Sequence, residues 1–269
     1  MKNMLSQIQF HYQFQGDSKK PLILFLHGFL GNGNDWNEVI KIISRHYYCL
    51  TIDLPGHGKT TLKKNHDFSF EKTALALIEF LNQLEINKCH LIGYSMGGRI
   101  ALFLALYYPQ YFDKVVLESA SPGLCTEREQ KERIAQDEKI AQTLETGNYE
   151  AFLSKWYSQS LFSGLADNEN FNQLLQRREE SDPKALAQSL RLLGTGKQPS
   201  LWQEISRSKI PILLIIGGED IKFQSIANDI KKLNQFMQIQ VIEKCSHNVH
   251  SQKPKEFANR IFKFFNSKN

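Results

Sequence analysis

The 269-residue sequence predicts an α/β fold: a mostly parallel sheet with helices on both faces and a helical lid inserted above it. Three observations predict it. Strand-length apolar runs alternate with stretches of helical periodicity through the first half of the chain, which is the signature of βαβ units. The same alternation returns near the C-terminus. Between the two lies a long stretch with almost no β-branched runs, dense in Glu, Gln, Arg, Leu and Ala, all good helix formers.

Taken in order, the N-terminal MKNMLSQIQFHYQF alternates apolar and polar residues and reads as a first strand, since an export signal needs an unbroken apolar region. Further strands are expected at Leu22–Leu26, Tyr48–Ile52, His90–Ile92 and Val115–Leu117, with amphipathic helices near Glu38–Ile43, Phe70–Leu84 and Ile100–Leu106. The second half adds strands at Ile212–Ile216 and Ile239–Ile242, and helices near Ile226–Leu233 and Phe257–Phe265. The intervening stretch, residues 121–206, is too long for a structureless loop in a compact domain. It leaves a strand ending at Glu118 and re-enters one starting at Ile210, so it sits at the strand C-terminal edge, where open α/β sheets bind ligands. The expected organisation is a core of residues 1–120 and 207–269 with residues 121–206 as its lid.

Composition narrows the function classes. At 41% hydrophobic and 23% charged, the chain reads as an ordinary globular protein. Its longest apolar runs are far too short to span a bilayer, so no stable membrane insertion is expected. Cys49, Cys89, Cys125 and Cys245 lie far apart with no C-x-x-C pair, which suggests neither a zinc site nor a disulfide framework and fits a reducing cytoplasm. A net charge of +5, with scattered lysines and arginines, lacks the basic runs of nucleic-acid binders. It fits either a solvated basic surface or an excess serving an anionic small substrate. No H-x-H, H-E-x-x-H or carboxylate cluster suggests a metal, and no cofactor is implied.

The strongest chemical signal is Gly93-Tyr94-Ser95-Met96-Gly97, followed by Gly98, placed between a strand and a helix. G-x-S-x-G in that context is a nucleophile elbow, a turn so tight that small residues must flank the serine. A serine hydroxyl needs a partner to take its proton, and the partners follow in the order acid, then histidine. The apolar Ile215-Ile216 run ends in Gly217-Gly218-Glu219-Asp220. Asp220 is the expected acid, with Glu219 as its competitor. Past the last strand come His247 and, three residues on, His250; His247 is the expected base, with His250 as its competitor and a surface position as the plain reading of His250. His27-Gly28-Phe29 follows the strand Leu22–Leu26 and supplies an oxyanion-binding N–H from Phe29, with a second from Met96. His27 and His57 read as structural histidines of glycine-rich loops. Arg99, four residues after Ser95, falls on the same helix face just below the nucleophile. A buried arginine is costly unless it meets an anion. Arg128, Arg133, Arg177, Arg178 and Arg191 of the lid stretch are either surface charges or, with Arg99, clamps for a ligand bearing several carboxylates.

The stretches LHGFLGNGNDW, GYSMGGRIAL, LESASPGL, KWYSQSLF, LAQSLRLLGTGKQPSLW and GGEDIKF followed by HNVH resemble the 2-succinyl-6-hydroxy-2,4-cyclohexadiene-1-carboxylate synthases, lyases of menaquinone and phylloquinone biosynthesis with the α/β-hydrolase fold. The resemblance runs from about Leu26 to His250 and includes the lid. It implies elimination of pyruvate from a cyclohexene tricarboxylate, 2-succinyl-5-enolpyruvyl-6-hydroxy-3-cyclohexene-1-carboxylate, started by removal of a ring proton by the Ser95–His247–Asp220 triad. It also implies substrate contacts at Tyr94, Arg99, Arg133, Trp156, Arg178 and Lys222, with Arg128 and Arg177 as near neighbours of two of them. Where the family has glycine before the histidine, this chain has Ser246, which is strained if the position requires a positive φ. The rival readings are a carboxylesterase or C–C bond hydrolase of the same fold, which has no need of Arg99, and a non-catalytic ligand receptor.

Overall fold

The computed structural model describes residues 7–63 and 68–267. The first part of the chain forms β1 (Ile8–Gln9), β2 (Tyr12–Gln15), β3 (Leu22–Leu26), α1 (Asn37–Ile43), β4 (Tyr48–Ile52) and β5 (Thr61–Leu62). It continues with α2 (Phe70–Gln83), β6 (Cys89–Tyr94), α3 (Met96–Tyr107) and β7 (Phe112–Glu118). Five helices follow: α4 (Glu127–Thr146), α5 (Tyr149–Tyr157), α6 (Phe171–Glu179), α7 (Pro183–Leu193) and α8 (Trp202–Ile205). The chain then closes with β8 (Ile212–Gly217), α9 (Ile221–Leu233), β9 (Gln238–Ile242), α10 (Val249–Gln252) and α11 (Pro254–Asn266).

Among the described residues the main sheet runs β2-β4-β3-β6-β7-β8-β9, with β2 antiparallel and the other pairings parallel. The expected N-terminal strand is instead two short pieces. One, β1, pairs with β5 in a separate ribbon, and the other, β2, borders the sheet; the expected strand's first residues, 1–6, lie outside the described ones. Apart from α2, which begins at Phe70 as expected, the sequence-placed helices begin earlier than their apolar periodicity predicts. Asp220 caps α9 by accepting from the Phe223 N–H, so that helix starts at Ile221 although its buried face starts later. The strand expected to start at Ile210 begins instead two residues later, at Ile212.

Strand residues alternate between two cores, as a period of two requires. Leu24, Leu26, Leu50, Ile52, Leu91 and Leu117 face α2, α3 and α9. Ile23, Phe25, Cys49, Ile92 and Val116 face α1 and α11, whose Phe257, Ile261 and Phe264 seal that side. A parallel sheet covered on both faces needs such unbroken apolar strands, and the run LILFL of β3 supplies one. Helices α4, α5 and α7 have a small core of their own, where Ala141, Leu144, Phe152, Leu153 and Leu186 surround Leu30 of the loop after β3. All four cysteines carry free thiols, and burial pushes Cys49, Cys89 and Cys245 up to about 12. No helix among the described residues is long and apolar enough to cross a membrane.

If the α11 face is what seals the second core, position on that helix should decide the cost of a truncation. Phe257 is fully buried and packs near Trp36, whereas Phe262 is 40% exposed. Phe257→Ala should lose about 3–5 kcal/mol in urea unfolding, the range for a buried phenylalanine, and Phe262→Ala far less. Equal losses at the two positions would contradict this packing.

Candidate active site

The site is built at the C-terminal ends of β3, β6, β7 and β8. Between β6 and α3 the chain reverses at Ser95, whose φ of 49° and ψ of −107° lie outside the regions a side chain ordinarily permits. The turn closes because its neighbours lack side chains. A Cβ on Gly93 would lie 2.5 Å from the Gly97 carbonyl oxygen, and one on Gly97 would strike the carbonyl of Leu26. The Ser95 N–H donates to the Glu118 carbonyl and the Gly97 N–H to the His27 carbonyl, at 2.9 and 3.0 Å, so both flanking strand ends hold the elbow.

Ser95 meets the two partners expected of it. Its Oγ lies 3.0 Å from His247 Nε2, and His247 Nδ1 lies 2.7 Å from Asp220 Oδ2. Asp220 and His247 are buried while Ser95 is half-exposed to the cavity. A carboxylate only accepts, so Nδ1 carries the proton and Nε2 is free to accept from the serine hydroxyl. Glu219 points outward, exposed. Burial is also the fate of His250, against the surface position expected of it. Its Nδ1 donates to Glu118 at 2.7 Å and its ring stacks on Trp36 at 4.2 Å, which ties the segment after His247 to the end of β7. Ser246 has no positive φ, so the strain expected there does not arise; its N–H and hydroxyl both reach Gln252.

The loop after β3 lies against the elbow. Gly28 has no room for a side chain, since a Cβ there would lie 2.6 Å from the Tyr94 ring and 3.5 Å from the Ser95 Cβ. Two histidines pin this loop. His27 donates from Nδ1 to the Gly28 carbonyl and accepts the Leu54 N–H, while His57 accepts the Leu30 N–H and donates to the Pro55 carbonyl. Burial lowers the pKa of both, which suits a neutral ring that donates from one nitrogen and accepts at the other. Phe29 and Met96 line the same cavity as Ser95, and neither backbone N–H has an acceptor among the described residues.

That cavity, about 540 Å³, is roofed by α4, α5 and α6 and has the size of a small-molecule site. Tyr94, Arg99, Arg133, Trp156, Arg178 and Lys222 all line it. Burial, then the nearby Glu118, raises Tyr94 well above the tyrosine range, so its hydroxyl stays a donor. Trp156 packs edge-on to Phe29, and exposed Lys222 reaches over the ring of Phe223 at the rim.

The arginines divide between the two readings open to them. Arg128 and Arg191 form surface pairs, with Glu132 and with Glu138 and Glu145, and neither lines the cavity. Arg133 lines it but donates to Asp137 at 2.8 Å. Arg178 is fully buried, grips Asp35 through both terminal nitrogens at 2.9 and 2.7 Å, and donates from Nε to the Tyr157 hydroxyl. Arg177 adds a third bond to Asp35 at 3.3 Å from outside the cavity. Arg99 alone among the cavity arginines pairs with no acid among the described residues. It is 9% exposed, and its guanidinium donates to the Leu193 carbonyl at 2.8 Å and to Gln198 Oε1 at 3.3 Å. Burial, then Arg133, lowers its pKa to about 9, which still leaves it charged at neutral pH.

Asp35 and Gln198 were not foreseen as site residues. Asp35 sits inside the stretch GNGNDW, and only the fold brings α6 down upon it. Among the described residues no group of three or more His, Cys, Asp or Glu side chains could hold a metal ion.

The α/β hydrolase fold family model matches residues 21–254. A 2-succinyl-6-hydroxy-2,4-cyclohexadiene-1-carboxylate synthase of Photorhabdus laumondii is 32% identical over 258 residues, 94% of this chain and 90% of the relative. The enzyme of the same name from Serratia proteamaculans is 30% identical and covers 93% of this chain and 95% of its own. Among solved structures, MenH from S. aureus superposes with a TM-score of 0.88 at 30% identity, over 97% of this chain and 98% of that one.

The Asp35 ion pair carries a pH signature. Burial alone would raise the Asp35 carboxyl, but Arg178 and then Arg177 outweigh it and hold it at about 2, against 3.8 unperturbed. A depressed pKa contributes stability above the unfolded value that is lost as pH falls through the folded one. Asp35→Asn should therefore be less stable than the parent by about 3–5 kcal/mol at neutral pH, since it strands Arg178. About 2 kcal/mol of that gap should close between pH 4 and pH 2. Unfolding curves that stay parallel across this window would contradict the pairing.

Proposed function

The chain belongs to the α/β-hydrolase-fold family and, within it, to the 2-succinyl-6-hydroxy-2,4-cyclohexadiene-1-carboxylate synthases, and from that premise we propose how its own residues carry out the family's pyruvate elimination. As a member, it is a lyase of menaquinone or phylloquinone biosynthesis. Ser95, its proton drawn off by His247, removes the acidic ring proton beside the succinyl ketone. The electron pair moves through the ring alkene and expels pyruvate. Asp220 keeps His247 in the right tautomer and stabilises the imidazolium as it forms. The backbone N–H groups of Phe29 and Met96 receive the enolate oxygen that develops in place of a tetrahedral intermediate.

The observation that carries this reading is Arg99, a desolvated cation on the wall of the triad cavity whose bonds go only to neutral oxygens. Such a charge is costly to bury and is offset when an anion arrives. An ester substrate offers none; a tricarboxylate does. Arg133 and Arg178, each already paired, turn their remaining N–H groups to the other carboxylates, with Lys222 at the rim. Tyr94 donates to substrate from its raised-pKa hydroxyl, and Trp156 supplies an apolar wall. Residues 121–206 act as the lid over a core of residues 1–120 and 207–269, and the Asp35–Arg178 pair fastens that lid.

Purified protein should release pyruvate from the enolpyruvyl substrate without added metal or nucleotide and turn over short aryl esters only feebly. Ser95→Ala, His247→Ala and Asp220→Asn should each lower kcat by roughly 10³-fold or more, because the three act as a unit. Arg99→Ala should raise KM, and Arg99→Lys should recover only part of it, since lysine lacks the planar fork. Efficient ester cleavage with no pyruvate release would overturn the reading.

A further inference from the structure

Arg99 binds its two acceptors in a way that a second, wholly buried side chain controls. Gln198 is 1% exposed and lies just after the turn Thr195–Lys197. Its amide is held at both ends: Nε2 donates to the Ser121 carbonyl at 3.0 Å, and Oε1 accepts from Arg99 Nη1 at 3.3 Å. Reversing the amide would set an NH₂ against the guanidinium and an oxygen against a carbonyl, so the orientation is forced. Gly123 closes over it with a φ of +93°. A Cβ there would lie 3.3 Å from the amide carbon and 2.9 Å from the Pro199 carbonyl oxygen.

The chemistry at this position is selective in one respect. A glutamate would have the same length and would reach Arg99 equally well, but it would cancel the charge. An amide oxygen orients the guanidinium and leaves it cationic. Asp137, the acid whose field reaches Arg99, is already bound by Arg133, so it does not cancel the Arg99 charge.

We propose that Gln198 is a positioning residue that aims Arg99 into the cavity while leaving its charge free, and thereby sets the affinity for a carboxylate of the substrate. This rests on the role given to Arg99 above. A carboxylate remote from the reacting bonds carries the same charge in ground state and transition state, so its contact is uniform binding. Losing it raises KM and spares kcat.

The test is a kinetic cycle of parent, Gln198→Glu, Arg99→Ala and the double variant, with the enolpyruvyl substrate and thermal unfolding of each protein. Gln198→Glu should raise KM about tenfold or more, the equivalent of one buried charge contact, with kcat within a few-fold. In the Arg99→Ala background the comparison is made with Gln198→Met, which should add nothing there, because a glutamate without its arginine would itself repel the substrate carboxylate. If Gln198→Glu does not fold, Gln198→Met, which removes the acceptor and adds no charge, runs the same cycle and should show a KM rise that vanishes in that background. A raised KM in Arg99→Ala beside an unchanged KM in the Gln198 variants overturns this inference alone. So does a Gln198→Met effect that persists without Arg99, or an effect confined to kcat. Unchanged KM in Arg99→Ala overturns the role of Arg99 and this inference with it.

Discussion

A backbone turn with no room for side chains governs the arrangement of this molecule's site. Ser95 holds φ at 49° because β6 must reverse into α3 within a single residue, and Gly93, Gly97 and Gly98 let the two segments touch. Backbone strain of this kind persists only where surrounding structure over-determines it. Here the surroundings are the ends of β3 and β7, which accept the N–H groups of Gly97 and Ser95. The elbow therefore fixes the serine relative to the sheet. The sheet in turn fixes everything that meets the serine, because the loops after β3, β8 and β9 all leave the same edge.

Onto this rigid edge the fold places charges in two different ways. Most are cancelled: Arg178 by Asp35 and Arg133 by Asp137. Buried pairs of this sort give registry more than net stability, and Asp35 joins the helical stretch to the loop that carries Phe29. Arg99 is the exception, bound to an amide and a main-chain oxygen. A site serving only ester hydrolysis gains nothing from an uncancelled buried cation, whereas a site for a polyanion does. On the proposed reading, the same triad acts as a carbon base because the pocket around it is built to hold charge.

Much of this was legible in the sequence because the relevant signals are local. Strand alternation follows from period-two burial, the elbow from its glycines, and Asp220 and His247 from their places after apolar strands. Arg99 followed from helical geometry, one turn below Ser95. The rest was decided by long-range packing. No local pattern tells Arg128 from Arg133, since both lie on one amphipathic helix; only the docking of α4 sends one outward and the other to the cavity. Asp35 and Gln198 lie 143 and 99 residues from the arginines they bind. His250 read as a surface residue because nothing near it in sequence reveals Glu118 or Trp36. Apolar periodicity does not mark a helix start where a polar cap such as Asp220, and not an apolar residue, begins the helix.

The central claim is that the uncancelled charge of Arg99 is there to receive a substrate carboxylate. The most direct measurement is a crystal structure with the reaction product bound in the triad cavity. The account predicts a product carboxylate within hydrogen-bonding distance of the Arg99 guanidinium, with Gln198 still holding its other face. A product whose carboxylates all lie elsewhere, with Arg99 still bonded only to Leu193 and Gln198, would contradict it.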